Sequence, residues 1–361
     1  MRHGDDMEGR NESERRFAAV YKQASSLKIL FIVLCIIGVI VAAVFSATVG
    51  SYPIGAGQVY EILWIAVSGG VQPDPTVAHI VIDLRLPRIL GAIVCGAALA
   101  LCGTAMQSMM KNPLADPYTM GISSGAGFGA ALAIIMGVEL FSGGGTILNA
   151  FVFAVIPAMI ILFLSKFRKA TPTMMILCGT SLMYLFNALT QLFMLIADPD
   201  DMSTVYQWMV GSLDGLDFSE LGVVFLITVA GFLYIQTYSN QLNVMGAGDD
   251  SAKSMGVDVE RRRLVMLLMI TLVAASVVSF TGIIGFVGLV APHIARYIVG
   301  SDNRFLVPAS AVFGALLLLV SDILAKVIAA PLMLPVGVIT SCIGGPLFMF
   351  LILRTNKEVW T

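Results

Sequence analysis

Charge is nearly absent from long stretches of this chain, and that absence limits its possible folds more than any other feature. No Asp, Glu, Lys or Arg lies between Arg88 and Lys111, or within 118–138, 170–197, 221–248 and 327–353. A helix needs roughly 20 apolar residues to cross the hydrocarbon core of a bilayer. Each run meets that length. The spacing therefore predicts an all-α, polytopic membrane protein. Composition agrees: 58% of residues are hydrophobic and 12% charged, against about 25% charged in soluble domains. A net charge of -2 offers no basic face for nucleic acid.

Residues 1–28 read as a polar, mixed-charge cytoplasmic tail that is flexible or interfacial. The apolar run that follows is longer than the core of a cleavable signal and has an acid-rich flank, so it reads as a retained first helix. One later run is too long for a single span. From Leu264 to Ala295 the only ionisable residue is His293. At 1.5 Å per residue this stretch would reach about 48 Å across a core of about 30 Å. Gly282, Gly285 and Gly288 at its centre predict two short spans joined by a turn. Ten spans result: 29–47, 89–110, 119–137, 147–164, 174–196, 221–238, 264–281, 285–298, 307–328 and 335–353. Together they form one membrane domain, 29–353, followed by a cytoplasmic tail, 354–361.

The remaining charges give the sidedness. With the N-terminus inside, 18 of the 21 basic residues fall in cytoplasmic segments, and only Arg85, Arg88 and Lys326 are exported. This bias is the positive-inside pattern, and it places both termini in the cytoplasm. A nine-span chain would export Arg354 and Lys357 and weaken it.

Little chemistry is available for catalysis. His3, His79 and His293 are far apart in sequence, and no H-E-x-x-H motif occurs. The five cysteines, Cys35, Cys95, Cys102, Cys178 and Cys342, lie in predicted spans without a C-x-x-C pair and read as packing residues. No metal site, cofactor or enzymatic activity is expected. No Gly-Lys dipeptide exists, so a Walker A loop is absent; if ATP drives this protein, a partner chain hydrolyses it. A proton-coupled carrier would bury several acids in its helices. Here Asp322 alone sits well inside a span, and Lys326, four residues on, can pair with it.

Three features remain to be explained. Pro113, Pro117 and Gly121 break the backbone between spans 2 and 3, giving either a plain re-entrant connection or part of a pathway. Small residues recur at helix-packing spacing, Ala92-Gly96-Ala100 and Gly121-Gly125-Gly129, and predict close intramolecular packing. The longest internal cytoplasmic loop, 239–263, reads SNQLNVMGAGDDSAKSMGVDVERRR. Asp249 and Asp250 start a short helix, Gly256 stops it, and Asp258 starts another. Such order suits a docking element better than a solvated connector.

The D-D-S-A-K-S-M-G-V run of that loop resembles the coupling segment of ABC importer permeases. Leu84-Arg85-Leu86-Pro87-Arg88 and the small-residue run after it resemble the start of span 2 in FecCD/BtuC-type permeases. Further matches follow in family order: Asn112-Pro113-Leu114-Ala115-Asp116-Pro117, Gly121 to Ala126, Trp208 to Leu213, G-F-V-G-L-V-A-P-H-I-A-R at 285–296, and L-P-V-G-V-I-T at 334–340. The resemblance covers about residues 84 to 353. It implies a ten-helix subunit, a homodimer around one pathway, two ATPase subunits inside and a substrate-binding protein outside, importing an iron-siderophore, haem or cobalamin. ATP would be consumed by the partner ATPase.

The resemblance also implies roles. Arg85, Arg88 and Lys326 would face acids of the binding protein, although interfacial snorkelling would also explain exported cations. Asn112 and Leu114 would form a cytoplasmic gate with Thr171, Pro172 and Thr173, where Pro172 interrupts the family's hydroxyl run. Asp249, Asp250, Ala252, Met255, Gly256 and Val257 would couple to the ATPase. An ATP-independent secondary carrier is the alternative from another class, but it would not need the 239–263 segment.

Overall fold

The computed structural model describes residues 2–50, 52–140, 145–330 and 332–354, with side chains from Ser25 onward except 351, 352 and 354. Helix is the only regular structure among them. The long helices are α1 (Arg2–Thr48), α4 (Leu86–Met110), α6 (Gly145–Leu164), α7 (Pro172–Ile196), α9 (Phe218–Thr237), α12 (Val259–Thr281), α14 (Asn303–Ile328) and α15 (Val336–Arg354). Two helices of intermediate length are α5 (Ile122–Met136) and α13 (Val287–Val299). Short helices α2 (Ala56–Ser68), α3 (Pro75–His79), α8 (Pro199–Val210), α10 (Ser239–Ala247) and α11 (Asp249–Ser254) connect them.

Among the described residues, seven helices are long and apolar enough to cross a membrane, and Ile122–Met136, Val287–Val299 and Val336–Phe350 are shorter apolar helices. Each predicted span falls on one of these. The 264–295 run divides as its glycines predict: α12 ends at Thr281 and α13 begins at Val287. Residues 1–28 differ from expectation, because α1 continues helically back to Arg2. Glu, Arg, Ala, Lys and Gln dominate that stretch. Such strong helix formers extend a helix that the apolar span has already nucleated. The predicted C-terminal tail lies, beyond Arg354, outside the described residues.

The α4 helix is the centre of the molecule. With α3 and a π-helical turn at Ile80–Arg85 it forms one continuous 36-residue rod, most of it buried. By contrast, α1 leaves most of its apolar surface uncovered, as a lipid-facing helix should. Small residues set the closest crossings. A Cβ on Gly96 would stand 2.4 Å from the Gly314 carbonyl oxygen, so α4 and α14 touch backbone to backbone. Gly125 and Gly129 do the same for α5 against α6, at 2.3 Å from Phe153 O and 2.5 Å from Asn149 O. Both predicted ridges are thus packing surfaces within the subunit.

Two breaks in the backbone lie deep in the bundle. After Met110 the chain turns back inward, and a 3-10 turn at Pro117–Met120 precedes α5. Between α12 and α13 the chain is irregular from Gly282 to Phe286. The two meet midway along α4: a Cβ on Gly288 would lie 3.0 Å from Leu99 O and 3.6 Å from Pro117. Irregular backbone at such depth is tolerable because protein surrounds it. The segment after Lys111 is therefore re-entrant.

Candidate coupling site and charged clusters

Polar and charged side chains gather at the two ends of the bundle. The first cluster joins the π-turn, α14 and the loops after α1 and α8. Arg85, Arg88 and Lys326 were expected at the surface, but all three are buried, at 6%, 5% and 4% exposure. The physical reason is internal neutralisation. The fully buried Asp322 carboxylate accepts from Arg88 Nε at 2.7 Å through Oδ1 and forms an ion pair with Lys326 Nζ at 2.7 Å through Oδ2. Lys326 also donates to Ser46 Oγ at 3.1 Å. Arg88 reaches Asp214, whose side chain is half exposed, and Arg85 donates to the carbonyls of Ala47, at 2.6 Å, and Tyr52. The Asp322–Lys326 pair expected from their spacing is present, with Arg88 as an added partner.

Arg85, Arg88, Lys326 and Asp214 line a cavity of about 530 Å³, together with Tyr52, Leu213 and Met333. Charge-assisted hydrogen bonds in low dielectric are strong, yet each buried ion carries a desolvation cost. The buried part of the cluster therefore depends on the Asp322 carboxylate, which both Arg88 and Lys326 share. Two carboxylates pair with these cations, Asp322 inside and Asp214 at the rim, and Asp83 and Asp217 also line the cavity.

The opposite end carries the predicted coupling segment. Gly248 joins α10 to α11 at φ +138°, outside the range that side chains favour. At the other end of α11, the Val257 N–H donates to Ala252 O and the Gly256 N–H to Lys253 O, both at 3.0 Å, with Gly256 at φ +81°. This pair of bonds is a Schellman cap, the stop predicted for Gly256. The Asp258 carboxylate then accepts from Arg261 N at 3.1 Å and starts α12. Asp250, Met255 and Gly256 are exposed and Val257 partly so. Ala252 is fully buried and packs inward, so it anchors α11 to its own subunit rather than presenting a face to a partner.

Asp249 joins this segment to the bundle. It accepts from Lys111 Nζ at 2.8 Å and, through both oxygens, from Arg263 at 3.0 Å. Burial alone would raise its carboxyl, but these two cations outweigh burial and lower its pKa below the ordinary carboxylate value. Arg263 is nearly inaccessible and also donates to Ala170 O at 2.8 Å. Lys111 ends α4 in the left-handed conformation, at φ 51°. Next to it, Asn112 Oδ1 accepts from Leu114 N at 2.9 Å and leaves Leu114 exposed. Next to Ala170, Thr171 caps α7 by accepting from Met174 N at 3.2 Å, Pro172 occupies the first helical turn, and Thr171 and Thr173 are exposed. Both predicted gate segments thus lie beside residues held by one ion network. Lys111, Arg263, Asp214 and Ser46 were not singled out in the sequence for these contacts. Their partners lie 14 to 280 residues away, and no local pattern marks them.

Comparison with known proteins agrees with this geometry. The chain is 39% identical to a candidate ABC transporter permease protein of Methanocaldococcus jannaschii, over 94% of this chain and 98% of that one. It is 34% identical to the hemin transport system permease of Yersinia pestis, over 88% and 94%. Others, 32–34% identical, are named as permeases for cobalamin, Fe(3+)-hydroxamate and molybdate. A solved structure described as an inward-facing conformation of a candidate metal-chelate type ABC transporter superposes with TM-score 0.79 at 28% identity, covering 90% of this chain and 98% of that chain. The FecCD transport family model matches residues 34–354, and the chain, a membrane permease of ABC importer type, belongs to that family.

Proposed function

We propose that this permease works as a homodimer of ten-span subunits that moves an iron-siderophore or a related metal chelate inward by alternating access. Two separate ATPase subunits bind at the α10–α11 end, and a substrate-binding protein delivers the chelate at the Arg88–Asp322 end. The observation that carries this reading is α11: a capped, largely exposed helix tied by Asp249 to both predicted gate segments. Closure of the ATPases would move α11, and two subunits would rock about their shared axis. No single substrate follows from sequence identity, since the hemin and cobalamin permeases are equally similar at 34%. Cobalamin and haem are the alternatives within the family, and selection would fall mainly to the binding protein.

Binding-protein docking takes a modified form in this proposal. Because Arg88 is already paired, an incoming acid would displace Asp214, the half-exposed partner, and leave Asp322 in place. Opposite charges at such a rim set orientation and association rate.

The test is reconstitution in proteoliposomes with ATPase and binding-protein candidates, offering 55Fe-labelled hydroxamate chelate, hemin and cobalamin in parallel. ATP-dependent uptake of one of them, requiring the binding protein, is the expected result. Uptake driven by a proton or sodium gradient without any ATPase would replace this reading with a secondary carrier.

A further inference from the structure

Two glycine turns bracket α11. Gly248, at φ +138°, and Gly256, at φ +81°, hold conformations that ordinary side chains avoid and turn the chain sharply at either end. A six-residue helix set off by such turns is held to the bundle through what it touches more than through the backbone. Its strong contacts to the bundle are two: the buried methyl of Ala252 and the ion pairs of Asp249. The Lys253–Glu260 pair, at 3.9 Å and exposed on both sides, adds little.

We propose that Asp249 is the joint that carries movement of α11 to both cytoplasmic gate segments at once. The inference rests on the importer reading above. The carboxylate branches two ways. Through Lys111 it holds the C-terminus of α4, one residue before Asn112 and three before Leu114. Through Arg263 it holds the Ala170 carbonyl, one residue before the Thr171 cap of α7. Apolar contact would let these elements slide, whereas charge-assisted hydrogen bonds fix distance and direction. Arg263 contributes a second constraint. Its guanidinium lies in the first turns of α12 and donates simultaneously to α11 and to the 170 carbonyl, so α11 cannot shift without shifting at least one of them. Asp249 is therefore a positioning residue. It touches no substrate, and its effect passes through Lys111 and Arg263.

The test reads gate movement directly and needs no substrate. Spin labels are placed at Leu114 and Thr173, with the native cysteines replaced by alanine, in the permease bound to its ATPase. The distance between them is measured without nucleotide and with trapped ATP. The reference protein should show a nucleotide-dependent change. In Asp249→Asn, which keeps size and removes charge, ATPase binding and ATP hydrolysis are measured alongside gate movement. The share of molecules whose gate distance changes on ATP trapping should fall about tenfold, the scale of coupling lost along such networks. Lys111→Met should lose movement at Leu114, and Lys111→Arg should retain it. Normal gate movement in Asp249→Asn would overturn the inference. So would loss of ATPase binding in that variant, because Asp249 would then be a docking contact. Failure of the reference permease to bind any ATPase would overturn the importer reading and this inference with it.

Discussion

At the scale of single residues, Asp322 shows how a membrane interior treats charge. Its carboxylate is fully buried and meets two cations at 2.7 Å. Removing it would strand Arg88 and Lys326 without their shared counter-ion, and breaking a buried pair in this way costs about 3–5 kcal/mol. Asp322→Ala should therefore lower the thermal midpoint in detergent by many degrees, and an unchanged midpoint would contradict the network. Asp214 should behave differently, because its side chain is half in solvent. Asp214→Asn should leave stability nearly unchanged but free Arg88 for an external acid. We expect tighter capture of the binding protein, most visibly at low salt, where exposed charges act furthest. Weaker capture would refute displacement as the docking mode. The sequence marked Arg85, Arg88 and Lys326 because they were exported cations, and Lys326 could be paired with Asp322 by their four-residue spacing. Burial and the Arg88 contact could not be read there, since the pairing spans 234 residues. A charge pattern locates the side of the membrane, but only tertiary packing decides whether a charge faces water or another charge.

At the scale of elements, most helices were legible because lipid imposes one demand on all of them. Every spanning backbone must satisfy its own hydrogen bonds, so apolar run length reports helix length directly. Glycine placement was equally informative. It split 264–295 into α12 and α13, and it predicted close packing at two ridges, whose partners, α14 for α4 and α6 for α5, only the structure names. The connectors α2 and α8 were missed, because a helix of 12 or 13 residues is too short to register as a span, and charge alone does not distinguish it from loop. The stop of α11 was read correctly from Gly256, and it invites an element-scale prediction. A Cβ at Gly256 would meet nothing within 4 Å, so Gly256→Val is sterically free of neighbours. Its whole cost lies in φ +81°, a conformation that costs an L residue about 1–2 kcal/mol, and a β-branched one more. The Schellman cap should open while the membrane helices still assemble. We expect either loss of ATPase co-purification or ATP hydrolysis without uptake. Normal assembly with normal ATP-driven uptake would remove α11 as the transmission element.

At the scale of the whole molecule, sidedness reduces to one binary choice. Contacts gather 46–52, 85–88, 214 and 326–333 at one end of the bundle. They gather 108–111, 170, 243–263 and 302–303 at the other. Lys28 joins the second group, with its ammonium 4.8 Å from the centre of the Phe305 ring. The alternation expected for ten spans puts each of these segments at the end where contact finds it, so reversing one segment would mean reversing all. Basic residues weight the choice heavily: 18 of 21 fall on the Lys28 side under that alternation. Retaining the positive side in the cytoplasm therefore predicts that the Asp249 end faces the ATPases and the Asp322 end faces out. Single cysteines at the exposed positions Ser68 and Ser251 test this, since the loop bearing Ser68 follows α1 and Ser251 lies in α11. With native cysteines replaced, an impermeant maleimide added to whole cells should label Ser68→Cys and spare Ser251→Cys until the membrane is opened. The reverse pattern would invert the molecule and place the coupling helix where no ATP is available, and equal labelling would break the alternation on which the ten-span topology rests.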